Sequence, residues 1–304
     1  MIIAITGGTG FIGERLLRYF VHQGFKVRVL SRNKLIQGAG FDFFYGDLSD
    51  SKVDLSSFIE KVDVLYHCAG ELRNESLMEE LHVGGTKRLV DAAKGKIGRW
   101  VQLSSVGAYG INHDGTISED SKEKPLSIYE KTKTHSDMIV IKSGIPFSIL
   151  RPSIVFGNNM PNQSLIALLK TIDRGLFFFI GKKNEYKVNY IHVEDVVNAM
   201  ILCSSEAEAL NEVFILSQST SVEEMIYSIA SGLESKKKIY RLPTPFVRLI
   251  MLTFGRLPGF PLTASRVKAL TGQYVYNSNK VEKTLSFRYS MSLEERFRLF
   301  AKQK

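Results

Sequence analysis

The chain opens on a short apolar run, "MIIAIT", that breaks into the glycine-rich "TGGTGFIG" and then into the helix-patterned "GERLLRYFVHQG". This junction restricts the fold more than any other feature. An unbroken apolar run ending at glycine suits a strand buried on both faces, as in a parallel sheet covered by helices. Leu16, Leu17, Phe20 and Val21 form one helical stripe, and Gly24 suits the helix stop. Between the two elements, Gly7 suits a tight turn, Gly10 a close approach of phosphate to backbone, and Gly13 tight helix–strand packing. The free amides at the start of the helix then favour a diphosphate.

The pattern repeats. "KVRVLSR" and "VDVLYHCAG" read as further strands, and the second runs into a long helical segment through "LMEELHVGGTKRLVDAAK". "RWVQLSSVGAYG" is a strand entering a loop, "SIYEKTKTHSD" a helix, and "FSILRPSIVFG" one further strand. Strands alternating with helices predict an α/β fold with a doubly wound parallel sheet. After Gly157 the pattern loosens. "NYIHVEDVVNAMILC" reads as a strand and helix that rejoin the sheet, and the tail carries shorter elements and most of the prolines. The expected division is a dinucleotide-binding domain over 1–155 plus about 189–204, and a smaller substrate-binding domain over 156–188 and 205–304. Ligands in such folds bind at the C-terminal ends of the strands.

Composition narrows the function classes. With 304 residues, 44% of them hydrophobic and 23% charged, the chain has the profile of a globular protein. Its net charge of +9 is scattered. The densest clusters, "SKKKIYR" at 235–241 and "GKK" at 181–183, lack the interleaved aromatics of a single-strand platform, so no nucleic-acid partner is expected. Cys68 and Cys203 are far apart in apolar runs and read as buried thiols of a reducing compartment, with no metal site. No signal peptide is read, and "PFVRLIMLTFG" at 245–255 is shorter than the roughly 20 residues of a spanning helix. The expected location is cytoplasmic. The apolar stripe of Phe246, Leu249, Ile250, Leu252 and Phe254 reads first as core, with a greasy substrate or a membrane surface as the other uses.

Two stretches carry chemistry. At the end of the second strand, where an NAD site usually has an acid for the ribose, the chain has Ser31 followed by Arg32. Arg32 either clamps a 2′-phosphate, worth about 1.5–3 kcal/mol, or is a solvated surface arginine. The first use favours NADP, with NAD the alternative. Asp47 and Leu48 in "YGDLSD" are placed to cover an adenine. In "SIYEKTKTHSD", Tyr129 and Lys133 stand one turn apart on one helix face, shortly after Ser104 and Ser105. Beside a nicotinamide, a tyrosine can pass a proton to a carbonyl while hydride moves. Bringing its pKa from about 10 to 7 takes about 4 kcal/mol, and a nearby lysine supplies charge of the required sign. A serine hydroxyl can hold the carbonyl oxygen.

Taken together, "TGGTGFIG", "GDL", "HCAG", "LSSVGAYG", "YEKTK", "RPSIVFG" and "YIHVEDV" resemble the extended short-chain dehydrogenase/reductases of the NAD-dependent epimerase/dehydratase superfamily. The resemblance spans about residues 3 to 200 in order, and "YVYNSNKVEKTLSFRYSMSLEE" resembles the family's C-terminal end. It implies a Rossmann fold with Ser105, Tyr129 and Lys133 as the catalytic triad. Ser105 is preferred to Ser104 by its distance to "YG". The implied cofactor contacts are Gly7, Thr9, Gly10, Phe11, Ile12, Arg32, Asp47, Leu48, Cys68, Ala69, Gly70, Tyr129, Lys133, Pro152, Ile154 and Val155. Family members are often dimers that pack the Tyr129 helix, so a homodimer is a possible assembly.

Departures from the family pattern narrow the reaction. Dehydratases follow the active-site serine or threonine with two carboxylates, whereas Val106 and Gly107 stand here. Sugar-nucleotide epimerases often carry an arginine before the "YIHV" strand, where Lys187, Val188 and Asn189 stand here. They also have an asparagine near the end of the "RPSIVFG" strand, at Ile154 or Val155 here. Lys187, Arg266 or Lys182 then become the candidates for a diphosphate. His82 replaces an asparagine before "V-x-G-T" and reads as a packed helix histidine. His192 and Asp195 read as ties between helix and sheet. The leading expectation is an NAD(P)-linked 4-ketoreductase or 4-epimerase of a nucleotide-activated sugar. The alternatives are a reductase of an apolar, steroid-like or flavonoid-like alcohol, and a non-catalytic dinucleotide-binding protein.

Overall fold

The computed structural model of the chain describes residues 1–33, 40–110, 115–247 and 272–303. The strands are β1 (Ile2–Thr6), β2 (Lys26–Ser31), β3 (Phe41–Tyr45), β4 (Val64–His67), β5 (Arg99–Leu103), β6 (Gly115–Ile117), β7 (Phe147–Pro152), β8 (Ile154–Phe156), β9 (Phe178–Ile180), β10 (Lys187–His192), β11 (Glu212–Leu216), β12 (Gln218–Ser221), β13 (Tyr240–Leu242) and β14 (Tyr274–Tyr276). The helices are α1 (Gly13–His22), α2 (Ser56–Ile59), α3 (Glu75–Met78), α4 (Gly85–Ala93), α5 (Ile128–Lys142), α6 (Ser164–Asp173), α7 (Val193–Ser205), α8 (Val222–Gly232), α9 (Asn279–Thr284) and α10 (Leu293–Lys302).

Seven parallel strands form the main sheet in the order β11-β7-β5-β4-β1-β2-β3. From β1 the chain winds outward to β3, then returns to β4 and winds the other way. The switch point therefore lies between β1 and β4, where α/β folds bind ligands. Alternate strand residues serve opposite faces, as the period of two requires. Ile3, Ile5, Val101 and Leu150 pack with Leu16 and Phe20 of α1 and Met200 of α7. Ala4, Trp100 and Ile149 pack with Phe58 of α2, Leu89 of α4 and Val140 of α5. A third core joins Phe156 and Leu169 to Ile226 of α8 and Phe297 of α10. There a Cβ on Gly232 would stand 2.2 Å from the Arg298 carbonyl, so the α8–α10 crossing needs glycine.

The doubly wound sheet is as expected, but its edge differs. The "NYIHV" strand does not rejoin the main sheet. As β10 it pairs with β8 and β12 in a separate three-stranded sheet. The seventh strand is β11, which the expected boundary had placed in the smaller domain. Its "EVFIL" reads as a buried strand, but its site was not predictable without knowing what pairs beside β7. "FSILRPSIVFG" is two strands rather than one. The break falls at Ser153, whose amide donates to the Leu216 carbonyl of β11. The long helix after β4 contains a wide π-helical turn over Glu79–Gly84. Cys203 is buried as expected, whereas Cys68 is only partly buried, and both are free thiols. Phe246 is half exposed, so it is not core, and Leu249, Ile250, Leu252, Phe254 and Arg266 lie outside the described residues. Among the described residues, no helix is long and apolar enough to cross a membrane.

Candidate active site

The glycine loop after β1 presses against the loop after β4. Gly7 has φ +68°, and a Cβ there would stand 2.7 Å from the Ala69 nitrogen. A Cβ on Gly13 would stand 2.2 Å from the Gly7 carbonyl oxygen, so glycine is required for α1 to start so close to β1. The Gly10 amide donates to Gly7 at 2.9 Å. The Phe11 and Ile12 amides, at the entry to α1, donate to no other described residue. Thr9 and Gly10 are exposed, and Phe11 and Ile12 are half-buried. Free amides, a helix N-terminus and a glycine face open to solvent fit the diphosphate of a dinucleotide.

Along the same crevice, Arg32 is 57% exposed at the end of β2, with a guanidinium nitrogen 4.0 Å from Asp47. Asp47 also accepts from the Ser49 amide and hydroxyl. The Leu48 side chain lies in the core with Leu30 and Leu89, and its carbonyl accepts from Arg88. Cys68 and Ala69 are half-buried and Gly70 is exposed. Burial pushes the Cys68 thiol up to about 12, with the Lys133 charge pulling the other way. Pro152 is buried at the end of β7, Val155 packs on the core, and Ile154 is exposed.

The fold separates the two serines. Ser105 caps a short 3-10 turn, accepting from the Gly107 amide at 3.0 Å, and its hydroxyl bears on the Tyr129 phenol, favouring the phenolate. Ser104 instead donates to the buried Asp137 carboxylate at 2.7 Å. α5 starts in a capping box, in which Ser127 accepts from the Glu130 amide and Glu130 from the Ser127 amide. The box starts the helix so that Tyr129, Lys133 and Asp137 follow at intervals of four. Lys133 is 6% exposed, and its ammonium donates to the Leu103 carbonyl at 2.7 Å. Burial lowers the Lys133 pKa, while the Asp137 and Cys68 charges raise it.

The expected lowering of the Tyr129 pKa is not present in the protein itself. Burial, and then the Asp137 charge, push the phenol up to about 12, with the Ser105 hydroxyl pulling the other way. The residue that sequence reasoning missed is Asp137. It is fully buried, and it accepts from Arg151 at 3.1 and 3.0 Å. Arg151 also meets Glu123 at 2.6 Å and lies over the Tyr109 ring. A signal existed, because an acid one turn beyond Lys133 continues its polar stripe.

Other candidates turn out to be structural. His192 caps α7, accepting weakly from the Glu194 amide at 3.4 Å. Asp195 accepts from the Ser290 amide and hydroxyl, tying α7 to the C-terminal segment. Val188 is buried, and Asn189 is held by Ser219, Tyr274 and Tyr276. Lys187 and the exposed Lys182 remain the described candidates for a diphosphate.

This constellation agrees with the comparisons. A model of the NAD dependent epimerase/dehydratase family matches residues 3–216. The chain belongs to that family. Within it, the chain is 24% identical to a UDP-glucose 4-epimerase of Vibrio cholerae, over 97% of this chain and 93% of that protein. It is 33% identical to sterol demethylase protein B of Methylococcus capsulatus over 172 residues, 52% of each. The fold matches UDP-glucuronic acid 4-epimerase from Bacillus cereus, solved with UDP-glucuronic acid and NAD, at a TM-score of 0.75 and 19% identity, covering 99% and 98% of the two chains. As a family member of the short-chain dehydrogenase/reductase type, the chain is an NAD-dependent oxidoreductase or epimerase.

Proposed function

We propose that this enzyme interconverts a ketone and a secondary alcohol on a nucleotide-activated sugar, as a 4-ketoreductase or 4-epimerase that prefers NADP. The observation that carries the chemistry is that α5 sets the Tyr129 phenol one turn from the buried Lys133 ammonium, with the Ser105 hydroxyl bearing on the phenol. A bound reduced nicotinamide supplies the hydride. Ser105 holds the carbonyl oxygen, and Tyr129 gives that oxygen its proton. Lys133 stabilises the phenolate left behind. A phenol protonated up to about pH 12 is ready to donate, so the ketone-reducing direction needs no prior ionisation.

The sugar-nucleotide reading is supported by near full-length similarity to a UDP-glucose 4-epimerase. A second reading, an apolar ketone or alcohol, has its own support. Val188 is buried where a diphosphate-binding arginine is often found, and the match of highest identity among those named above is to a sterol demethylase protein.

The experiment is a substrate panel in the presence of NADPH or NADH. Turnover of a UDP-4-keto-sugar, or interconversion of UDP-glucose and UDP-galactose, with inhibition by UDP, is the expected result. Turnover of sterol or flavanone ketones with no affinity for UDP would replace it with the second reading.

A further inference from the structure

His82 sits in the π-helical turn and is 1% exposed, and both of its ring nitrogens are engaged. Nε2 accepts from the Glu71 amide at 2.8 Å. A backbone amide can only donate, so Nε2 carries no proton and the proton of the neutral ring is on Nδ1. Nδ1 then donates to the Thr132 hydroxyl at 2.8 Å, and Thr132 donates to the Tyr129 carbonyl at 3.1 Å. One amide therefore fixes the direction of the whole chain. The ring also meets the Tyr129 ring edge-on, with centroids 5.8 Å apart.

At its other end the chain reaches a built loop. The Glu71 carboxylate accepts from the Leu72, Arg73 and Asn74 amides at 3.0, 2.9 and 3.2 Å, and Arg73 donates to the Pro161 carbonyl at 3.0 Å. A Cβ on Gly70 would be 3.4 Å from His82 Nε2, so the ring abuts this loop directly.

We infer that His82 is a positioning residue: a neutral, Nδ1-protonated imidazole that spaces the Gly70–Asn74 loop from the Tyr129 end of α5 and fixes both. Protonating Nε2 would set two donors against each other, and burial together with the Lys133 charge already depresses the ring to about 3, with Glu71 opposing. The inference rests on the reading of Tyr129 and the crevice given above.

The test uses the full chain with nitrogen-15-labelled histidine and carbon-13-labelled tyrosine. The His82 spectrum is expected to show a protonated Nδ1 and a bare Nε2 from pH 6 to 8. The opposite tautomer, or a midpoint near 6.5, overturns the inference. Two variants then separate the ends of the chain. His82→Gln keeps an acceptor near the Nε2 position, so NADPH affinity should stay within about two-fold while the Tyr129 ring resonance moves. His82→Asn keeps a donor near the Nδ1 position, so that resonance should hold while NADPH affinity falls about 5- to 10-fold, the worth of one hydrogen bond. Equal effects of both variants on both readouts also overturn it. If wild-type protein binds no dinucleotide, the functional reading fails, while the tautomer and tyrosine signals still judge the inference.

Discussion

The Lys133 ammonium donates to the Leu103 carbonyl across 2.7 Å, so a buried cation on α5 closes the end of β5. Asp137, whose charge favours the ammonium form of Lys133, is fully buried one turn further along. Lys133→Met keeps the length of the side chain and removes the charge. It leaves the Leu103 carbonyl unpaired, at a cost of about 1–3 kcal/mol, but no longer buries an ammonium. The melting temperature should therefore change little, while kcat falls about 100-fold or more. Parallel measurement of both quantities checks this, and a folded variant with wild-type kcat would remove Lys133 from the chemistry.

Asp137→Asn tests the electrostatics of the same stripe. Arg151 keeps Glu123 as a carboxylate partner at 2.6 Å, so the substitution does not strand its charge. The loss of stability should stay below the roughly 3–5 kcal/mol typical of a fully broken buried pair. Asp137 raises the Tyr129 pKa, so its neutralisation should lower that pKa. In the alcohol-oxidising direction, the rising limb of the pH–kcat profile should move to lower pH. A limb that stays in place or moves upward contradicts the coupling.

Acid should destabilise the protein before its carboxylates titrate. His67 is held well below 6.5 by burial, His82 at about 3 and His192 at about 4. Below the unfolded value of about 6.5 the unfolded chain binds protons that the folded chain refuses, so stability falls as pH falls. The window runs from about pH 6.5 down towards 4, with a slope of about 1.4 kcal/mol per pH unit for each histidine that stays neutral. Urea unfolding at pH 7.5, 6 and 5 reads this slope directly, and a flat profile would contradict it.

Much of this was legible in the sequence, and the gaps have physical causes. "TGGTGFIG" specified its own conformation because Gly7 and Gly13 stand where a Cβ meets backbone, a constraint local to the chain. Tyr129 and Lys133 were readable because helix spacing alone puts them on one face. Ser105 was preferred to Ser104 by its distance to "YG", and only the fold supplies the physical reason, because Ser104 is turned to Asp137. Strand β11 was misassigned because sheet partnership is non-local. The pull of Lys133 on Tyr129 was over-read, because spacing does not reveal that burial and Asp137 push the phenol the other way.

Arg32 carries the proposed preference for NADP. It is 57% exposed and meets Asp47 at 4.0 Å, a pair of little worth in water. Its guanidinium is thus free to turn to a 2′-phosphate at small cost. Arg32→Ala should weaken NADPH binding about 10- to 100-fold and leave NADH binding within about two-fold. Fluorescence titration with each dinucleotide decides it. Equal losses for both, or none, would leave Arg32 as a surface charge.

The central claim is that the Tyr129 phenol moves the proton that accompanies hydride transfer. Its most direct test is the turnover number of Tyr129→Phe on the carbonyl substrate that the wild-type enzyme reduces, at saturating reduced dinucleotide. The ring and its packing remain, and only the hydroxyl is lost. The account predicts dinucleotide binding within about two-fold of wild type and a kcat at least about 100-fold lower. A Tyr129→Phe enzyme with wild-type kcat would contradict it.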